Sequence, residues 1–241
     1  MDNTIYDSAR KHYLGGDRLA AIRILECAIE ANNDDGHAWE LLGVIRHGDR
    51  DIESALNALE KATTLKVLTL GGQLATASCY MKLDFPLSAK AIFVHLSNQN
   101  LPTRYLPDVI LGLAELEEFE RALRLSRVAS KRDPFCDRAL YAVAHYMGKC
   151  GYPVHTILPV MHKVVDLAPE IVRYQVSLAT LYIKDGNDGV ALHVLTLLSP
   201  KQLSTIGCAE CLQRIAELFD GAGDDVRRDA CLRRIDEIKL T

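Results

Sequence analysis

The chain has 241 residues, of which 49% are hydrophobic and 25% are charged, the composition of a soluble folded protein. Its 28 Lys and Arg residues and 32 Asp and Glu residues give a net charge of −4, so we expect no nucleic-acid partner. No apolar run is long enough to cross a bilayer, and the first residues lack a basic segment followed by an apolar one. The sequence therefore predicts a cytoplasmic protein without membrane insertion.

Small residues recur in pairs along the first half of the chain. Two antiparallel helices that pack closely need a small residue on each helix at the point where they cross. The members of each pair are twelve residues apart, and each pair follows the last by 34 residues: Ala9 with Ala21, Gly43 with Ala55, and Ala77 with Ala89. This interval predicts a repeated helix hairpin.

The same spacing continues in the second half with a poorer fit. The pairs there are Ile110 with Ala122, Ala144 with Thr156, Ala179 with Ala191, and Ala216 with Arg228. Ile110 and Arg228 are too large for a crossing point. Gly112 and Ala230 are the nearby substitutes, so the registers of the fourth and seventh hairpins stay open.

Glycine and proline mark the ends of the predicted helices, because Gly adopts the left-handed backbone of a helix end and Pro cannot continue a helix. Turns are predicted at Gly16-Asp17, Gly48-Asp49, Gly151 and Gly186-Asn187, and the ends of hairpins at Pro102, Pro134, Pro169 and Pro200. Pro159 lies inside a predicted helix and should bend or restart it. Apolar residues recur at intervals of three or four, as at Leu19, Ile22, Leu25 and Ile29, which predicts an all-α fold.

Residues 37–43, His-Ala-Trp-Glu-Leu-Leu-Gly, carry Trp with Leu-Gly three residues later, and Ala55, Leu59 and Ala62 follow. This signature resembles the tetratricopeptide repeat family. The resemblance implies a right-handed superhelical α-solenoid of antiparallel helix pairs, with residues 1–241 forming one domain of about seven units. The predicted units are 2–35, 36–69, 70–102, 103–135, 136–170, 171–206 and 207–241. The chain departs from the family pattern at Gly71-Gly72, where the third unit begins.

The resemblance also implies a function: a non-catalytic scaffold or adaptor that binds a peptide or helix of another protein in a concave groove. The first helix of each unit lines that groove. In the second and third units the groove positions are His37, Glu40, Val44, His47, Leu74, Ser78, Met81 and Lys82. The partner-binding residues predicted in the other units are Tyr6, Arg10 and Tyr13, then Arg104, then Arg138, Tyr141, His145 and Lys149, and finally Arg173, Thr180 and Lys184.

The basic residues of units four to six predict an acidic peptide or acidic helix as the ligand, because Arg and Lys on a concave surface can pair with carboxylates. The alternative is that they form solvated helix faces without a ligand. A dedicated chaperone or assembly factor remains a second candidate function, and an RNA-binding helical repeat a third. Apolar residues in the first unit, including Ile5, Leu14 and Leu19, are in excess of what one neighbouring unit can cover. We favour scattered exposed residues at the end of a repeat stack, and the alternative is a homodimer through the N-terminal repeat.

The sequence gives no sign of an enzyme or of a cofactor, since it contains no phosphate-binding glycine loop and no recognisable nucleophile with its base. Seven cysteines are scattered along the chain, which indicates reduced thiols. Cys208 and Cys211 form a Cys-x-x-Cys pair, for which we favour packed thiols. The alternative is a metal site completed by His193 and Cys231.

Overall fold

The structure is a computed structural model that describes the backbone of residues 3–240 and the side chains of residues 5–240. Residues 1, 2 and 241, at the ends of the predicted domain, lie outside the described residues. Within residues 3–240 all the regular structure is helical, as predicted, with no strand. The helices are α1 Asn3–Leu14, α2 Arg18–Ala31, α3 Gly36–Gly48, α4 Ile52–Leu65, α5 Leu70–Lys82, α6 Pro86–Ser97, a 3₁₀ helix Thr103–Tyr105, α7 Leu106–Glu115, α8 Phe119–Arg132, α9 Asp137–Lys149, α10 Val154–Leu167, α11 Val172–Lys184, α12 Asp188–Thr196, α13 Pro200–Leu203, α14 Ala209–Gly221 and α15 Asp225–Lys239.

The chain divides into two compact units, Met1–Arg121 and Ala122–Thr241, with the boundary inside α8. In the first unit, α1 and α2, α3 and α4, and α5 and α6 form antiparallel hairpins. In the second unit, α9 and α10, α11 and α12, and α14 and α15 do the same. Neighbouring hairpins pack against each other within each unit, which is the architecture of an all-α solenoid. The single domain of about seven repeats stays a prediction.

The small residues of the first unit lie where the helices cross. A Cβ atom added to Gly43 would lie 2.6 Å from Cγ of Leu59, so α3 and α4 could not approach as closely with any larger residue. The alanines predicted at the crossing points of this unit are all fully buried: Ala9, Ala21, Ala55, Ala77 and Ala89.

Gly112 marks a close approach between the fourth hairpin and the third. A Cβ atom on Gly112 would lie 2.2 Å from Cζ of the buried Phe93 on α6. Ile110 and Ala122 are both buried, and their predicted pairing inside the fourth hairpin stays a prediction. The substitute glycine is the residue on which α6 and α7 meet.

The crossing positions predicted at Thr156 and Arg228 are wrong. Thr156 is exposed in the first turn of α10, where its hydroxyl donates a hydrogen bond to the carbonyl of Pro153, and Ile157 is buried in its place. Arg228 remains at the surface, where it forms ion pairs with acidic neighbours, and Ala230 is buried instead.

Each turn between the paired helices contains one residue with a left-handed backbone. Among the described residues these positions follow one another at intervals of 34, 34, 33, 34, 35 and 37 residues, with φ between 60° and 86°. They are Gly16, Arg50, Asp84, Glu117, Gly151, Gly186 and Gly223. Gly48, predicted to supply this conformation in the second hairpin, is instead the last residue of α3. The chain turns two residues later.

Pro159 does not interrupt its helix, since α10 is continuous around it. The predicted restart is therefore wrong. Proline removes the amide that would bond to the carbonyl of His155. Both residues are exposed, so water can solvate that carbonyl and the cost to the helix is small.

Gly72 is explained by a buried carboxylate. Glu40, predicted to face the groove, is only 6% exposed and accepts hydrogen bonds from the amide and hydroxyl of Thr69 at 2.8 and 2.6 Å. Nζ of Lys66 donates to its other oxygen at 2.5 Å. A Cβ atom on Gly72 would lie 2.2 Å from Oε1 of Glu40. The glycine therefore leaves room for an ion pair that joins α3, the end of α4 and the start of α5.

Candidate functional site

The second unit contains a cleft of about 330 Å³ between the faces of α9 and α11. Five of the predicted partner-binding residues line it: Tyr141, His145, Lys149, Thr180 and Lys184. Its walls are completed by Ala144, Gly148, Ile157, Met161, Val176, Ser177, Leu181 and Cys211. We call it the cationic cleft.

Helical spacing brings these residues to one side of each helix. On α9 the predicted residues follow one another at intervals of three, four and four, beginning with the exposed Arg138. On α11 the intervals from Arg173 to Ser177, Thr180 and Lys184 are four, three and four. Residues at such intervals share a helix face. Two helices therefore each contribute a row of polar and cationic side chains.

Arg173 stacks on the aromatic ring of Tyr141 at the edge of this cleft. Its guanidinium carbon lies 5.0 Å from the Tyr141 centroid, within the range of a cation–π contact. The Tyr141 hydroxyl and Oγ of Ser177 are 3.2 Å apart, which connects α9 to α11. The stacking holds the guanidinium against a residue that lines the cleft.

Tyr174 packs against Tyr141 and connects α11 to α9. It is buried, and its ring centroid lies 4.8 Å from that of Tyr141. Its hydroxyl donates a 2.7 Å hydrogen bond to Asp137 on α9. Burial, the hydrogen bond to Asp137 and its charge raise the pKa of Tyr174 to about 12, so the hydroxyl stays protonated. Ser177 and Tyr174 were not among the predicted residues, although both lie on the turns of α11 that carry Arg173.

The pKa of His145 reflects its burial and the positive charges around the cationic cleft. Its imidazole stacks on Tyr141 with the centroids 6.1 Å apart. Desolvation lowers the pKa of His145 below its usual value, and the charges of Lys149 and Arg173 lower it further. The same charges that disfavour a proton on this imidazole favour an anion in the cleft.

The first unit has its own cleft, with a volume of about 620 Å³. Six of the groove positions predicted in the second and third units line it: Val44, His47, Leu74, Ser78, Met81 and Lys82. Its remaining walls are Gly71, Ala75, Phe93, Tyr105, Asp108, Leu111, Gly112 and Glu115. We call it the apolar cleft. The contribution of α7 was missed, since the one partner-binding residue predicted in the fourth unit, Arg104, precedes that helix.

His47 and Ser78 form a polar contact inside the apolar cleft, with Nε2 and Oγ 2.9 Å apart. Desolvation, and then the charge of Lys82, lower the pKa of His47, which favours the neutral imidazole. Ser78 lies in the middle of α5, where the backbone amides are engaged in the helix. The pair therefore has no backbone donors with which to stabilise an oxyanion, and its geometry favours a structural contact between α3 and α5.

The remaining predicted residues lie in the first unit. The ring of Tyr6 meets that of His37 edge to face at 5.9 Å, and Tyr6 and Tyr13 both pack against the N-terminal core, while Arg10 is exposed. Arg104 lies in the 3₁₀ helix. Its guanidinium is 4.7 Å from the ring centroid of the next residue, a tyrosine, and donates to that hydroxyl at 3.2 Å.

The Cys-x-x-Cys pair lies at the start of α14. The sulfur of Cys208 caps the helix by accepting a 3.2 Å hydrogen bond from the amide of Cys211. Cys231 is fully buried in the core of the second unit, and burial raises its pKa to about 11. Across residues 5–240 no three His, Cys, Asp or Glu side chains form a group that could hold a metal ion. In the described part of the chain, no helix is both long and apolar enough to cross a membrane.

Antiparallel hairpins with a left-handed residue at intervals of 33 to 37 define a helical-repeat protein. No protein-family model matches the sequence, and no curated protein is similar to it. Comparison with solved structures shows that the chain has the fold of tetratricopeptide repeat proteins.

Three solved structures illustrate this similarity. The C-terminal part of a TPR repeat-containing protein from Cytophaga hutchinsonii has a TM-score of 0.69 at 13% identity, over 98% of this chain and 96% of that one. A tetratricopeptide repeat protein from Parabacteroides merdae has a TM-score of 0.63 at 14% identity, over 98% and 92%. YrrB, a TPR protein with an unusual peptide-binding site, has a TM-score of 0.61 at 18% identity, over 71% and 89%.

Proposed function

We propose that the chain is a non-catalytic protein-interaction scaffold, and that its cationic cleft binds an acidic segment of another protein. The observation that carries the proposal is the stacking of Arg173 on Tyr141, a residue of the cleft that His145, Lys149 and Lys184 also line. An extended or helical segment with two or more carboxylates would meet these cations along the two helix faces.

Local charge matters more than the net charge of the chain. Exposed charges separated by more than about 10 Å are screened at physiological ionic strength. Charges within one concave cleft act together, and a guanidinium held by stacking loses less conformational entropy when it binds a carboxylate. The cationic cleft can therefore attract an acidic segment although the chain carries a net charge of −4.

Arg138 extends the cationic face of α9 by one turn beyond Tyr141. It is exposed, so we expect it to attract the ligand at longer range and to contribute less than Arg173 to the final complex. Arg104, Tyr6, Arg10 and Tyr13 stay predicted partner-binding residues of the first unit.

The solved structures support a protein as the partner, because one of them, YrrB, has a peptide-binding site. The apolar cleft of the first unit favours one alternative, a chaperone or assembly factor that shields an apolar client segment. Co-expression with the partner tests this alternative, since a chaperone would raise the soluble yield of an otherwise unstable client. Binding of single-stranded RNA that weakens steeply with salt would instead support an RNA-binding repeat.

The homodimer through the N-terminal repeat also stays a prediction. Leu14 and Leu19, on either side of the first turn, are 73% and 72% exposed, and Ile5 is partly exposed nearby in the sequence. Large apolar side chains at the end of a repeat stack support a self-association surface. Sedimentation of the chain over a range of concentrations, with and without Leu14→Glu, tests this prediction.

The proposed function is tested by affinity capture of the partner from the native source, followed by titration of that partner against charge-reversed variants. We expect Arg173→Glu to weaken binding by about tenfold or more, and Arg138→Glu to weaken it less. Lys201→Glu, which reverses an exposed charge on α13 outside the cleft, is the matched control and should leave binding unchanged. Unchanged affinity in Arg173→Glu would refute the proposed site.

A further inference from the structure

The apolar cleft carries a charge pattern opposite to that of the cationic cleft. On α7, Asp108, Leu111 and Glu115 follow one another at intervals of three and four, and all three line the cleft. Leu111 is 57% exposed, a large apolar side chain between two carboxylates. Neither carboxylate forms a salt bridge with any residue in the described part of the chain. The exposed side chain of Leu111 therefore lies between two carboxylates, those of Asp108 and Glu115, that could pair with cations of a ligand.

The opposite wall of this cleft is apolar with one cation at its end. Leu74 and Met81 of α5 are half-buried there, and Val44 of α3 continues the wall. Lys82 is exposed at the last residue of α5. The cleft is therefore apolar along its centre, acidic on the side of α7 and basic at one point on the side of α5.

We propose that the apolar cleft binds an amphipathic helix of another protein that carries Lys or Arg at two positions seven residues apart, with large apolar residues between them. On this ligand the cations meet Asp108 and Glu115, and the apolar residues pack on Leu111. This inference goes beyond the proposed function, because it concerns a different cleft and a ligand of opposite charge.

The spacing of the carboxylates favours a helix over an extended segment. Residues seven apart on α7 are separated by about 10 Å along the helix axis, at 1.5 Å per residue. A helical ligand lying along α7 repeats the same distance with residues seven apart, and these share one face. An extended ligand covers about 10 Å in three residues, at roughly 3.3 Å each, and residues three apart point to opposite faces. At this distance an extended segment points its two cations to opposite faces, which disfavours pairing both of them with the two carboxylates.

The experiment is a selection of random peptides displayed on phage against the full chain, repeated with the Asp108→Lys/Glu115→Lys variant. The matched control is Asp7→Lys/Glu30→Lys, which changes the net charge equally at exposed positions on α1 and α2 outside the cleft. Asp108 lies in the first turn of α7, where a lysine disfavours the helix. The Asp108→Asn/Glu115→Gln variant and a circular dichroism spectrum therefore accompany the reversal.

We expect the selection to enrich peptides with Lys or Arg seven residues apart around large apolar residues. These peptides should bind Asp108→Lys/Glu115→Lys about tenfold or more weakly, the neutral variant with an intermediate loss, and the control with unchanged affinity. The proposal is overturned if no enriched peptide is sensitive to these substitutions, or if the sensitive peptides carry cations at a spacing of three. Acidic peptides that depend on Arg173 would still support the proposed function in that case, so the two proposals fail separately.

Discussion

At the scale of single residues, the structure accounts for two departures from a regular repeat by contacts that a sequence does not display. Glu40 is buried in an ion pair with Lys66, and Gly72 leaves the space that its carboxylate occupies. A buried carboxylate is stable only when its oxygens are paired, and here both of them are. The adjacent glycines at 71 and 72 are therefore unequal, because only the second meets the carboxylate.

Gly72→Ala should lower the free energy of unfolding by about 2 kcal/mol, because the new methyl group displaces the carboxylate of Glu40. Gly71→Ala is the matched control. A Cβ atom at Gly71 would meet only Oγ1 of Thr69 at 3.8 Å, so this substitution should cost nothing and gain helix propensity. Urea titration measures both variants. Equal losses in the two would contradict the account of Gly72.

The left-handed turn residues provide a second comparison at this scale. The left-handed region costs a residue with a Cβ atom about 1–2 kcal/mol, and glycine avoids this cost. Glycine also loses more backbone entropy on folding, which offsets part of the gain. Arg50→Gly and Glu117→Gly should therefore each raise the free energy of unfolding by about 0.5–1 kcal/mol. Gly151→Ala should lower it by a similar amount, and thermal unfolding monitored by circular dichroism measures all three. A loss of stability in Arg50→Gly would contradict this account.

At the scale of the elements, the last helix is held to the second unit by arginine as well as by apolar packing. Arg227 donates to the carbonyls of Leu198 and Thr196 at 2.9 and 3.0 Å, and to Asp224 at 2.6 Å. Arg234 similarly donates to the carbonyl of Ile206. The carbonyls of Thr196 and Leu198 lie at and just beyond the end of α12, where the helix itself supplies no donors, and that of Ile206 lies between α13 and α14.

Arg227→Ala should lower the free energy of unfolding by about 2 kcal/mol, because it leaves the carbonyls after α12 without their charged donor. Arg233→Ala is the control, since Arg233 is exposed and donates only to a carbonyl of its own helix. Urea titration of both variants measures the difference. If Arg233→Ala were as costly as Arg227→Ala, the proposed attachment of α15 would be wrong.

The two rows of side chains on α9 and α11 predict a dependence on pH. Because the pKa of His145 is lowered in the folded chain, the unfolded chain binds the proton more readily. The stability contributed by the neutral imidazole is complete above the unperturbed pKa of about 6.5 and is lost as the pH falls below it. His145→Ala should therefore reduce the loss of stability between about pH 7.5 and pH 5.5. An unchanged difference between urea titrations at these two pH values would contradict this.

The sequence predicts features that follow from patterns of neighbouring residues, and it misses features that depend on contacts between distant residues. The helices, and the crossing points of the first unit, follow from apolar periodicity and from alanines at fixed intervals. In the fourth unit only Arg104 was selected as a groove residue, and it lies in the 3₁₀ helix that precedes α7, so Asp108, Leu111 and Glu115 were missed. Those three residues could have been found by their own spacing of three and four. The burial of Glu40 depends on contacts with Lys66 and Thr69, which are 26 and 29 residues further along the chain, and no local pattern contains them.

At the scale of the whole molecule, the net charge does not describe the two clefts, which differ in the charge of the side chains around them. In the second unit, Lys149 and Lys184 line the cationic cleft, and Arg173 stacks on Tyr141, which also lines it. The apolar cleft of the first unit is bordered by the carboxylates of Asp108 and Glu115. The two proposals together assign an acidic segment to one cleft and a basic helix to the other, so a single chain would hold two unlike partners.

The central claim is that the cationic cleft binds acidic segments through charge. Its most direct test is the fluorescence anisotropy of a labelled peptide that alternates Glu with Leu, titrated with the full chain at about 50 and about 300 mM salt. We predict binding that weakens with salt, and a loss of about tenfold or more in Arg173→Glu/Lys184→Glu but not in Lys201→Glu. Equal affinity for the wild-type chain and the double reversal, or for the same peptide with Lys in place of Glu, would contradict the account.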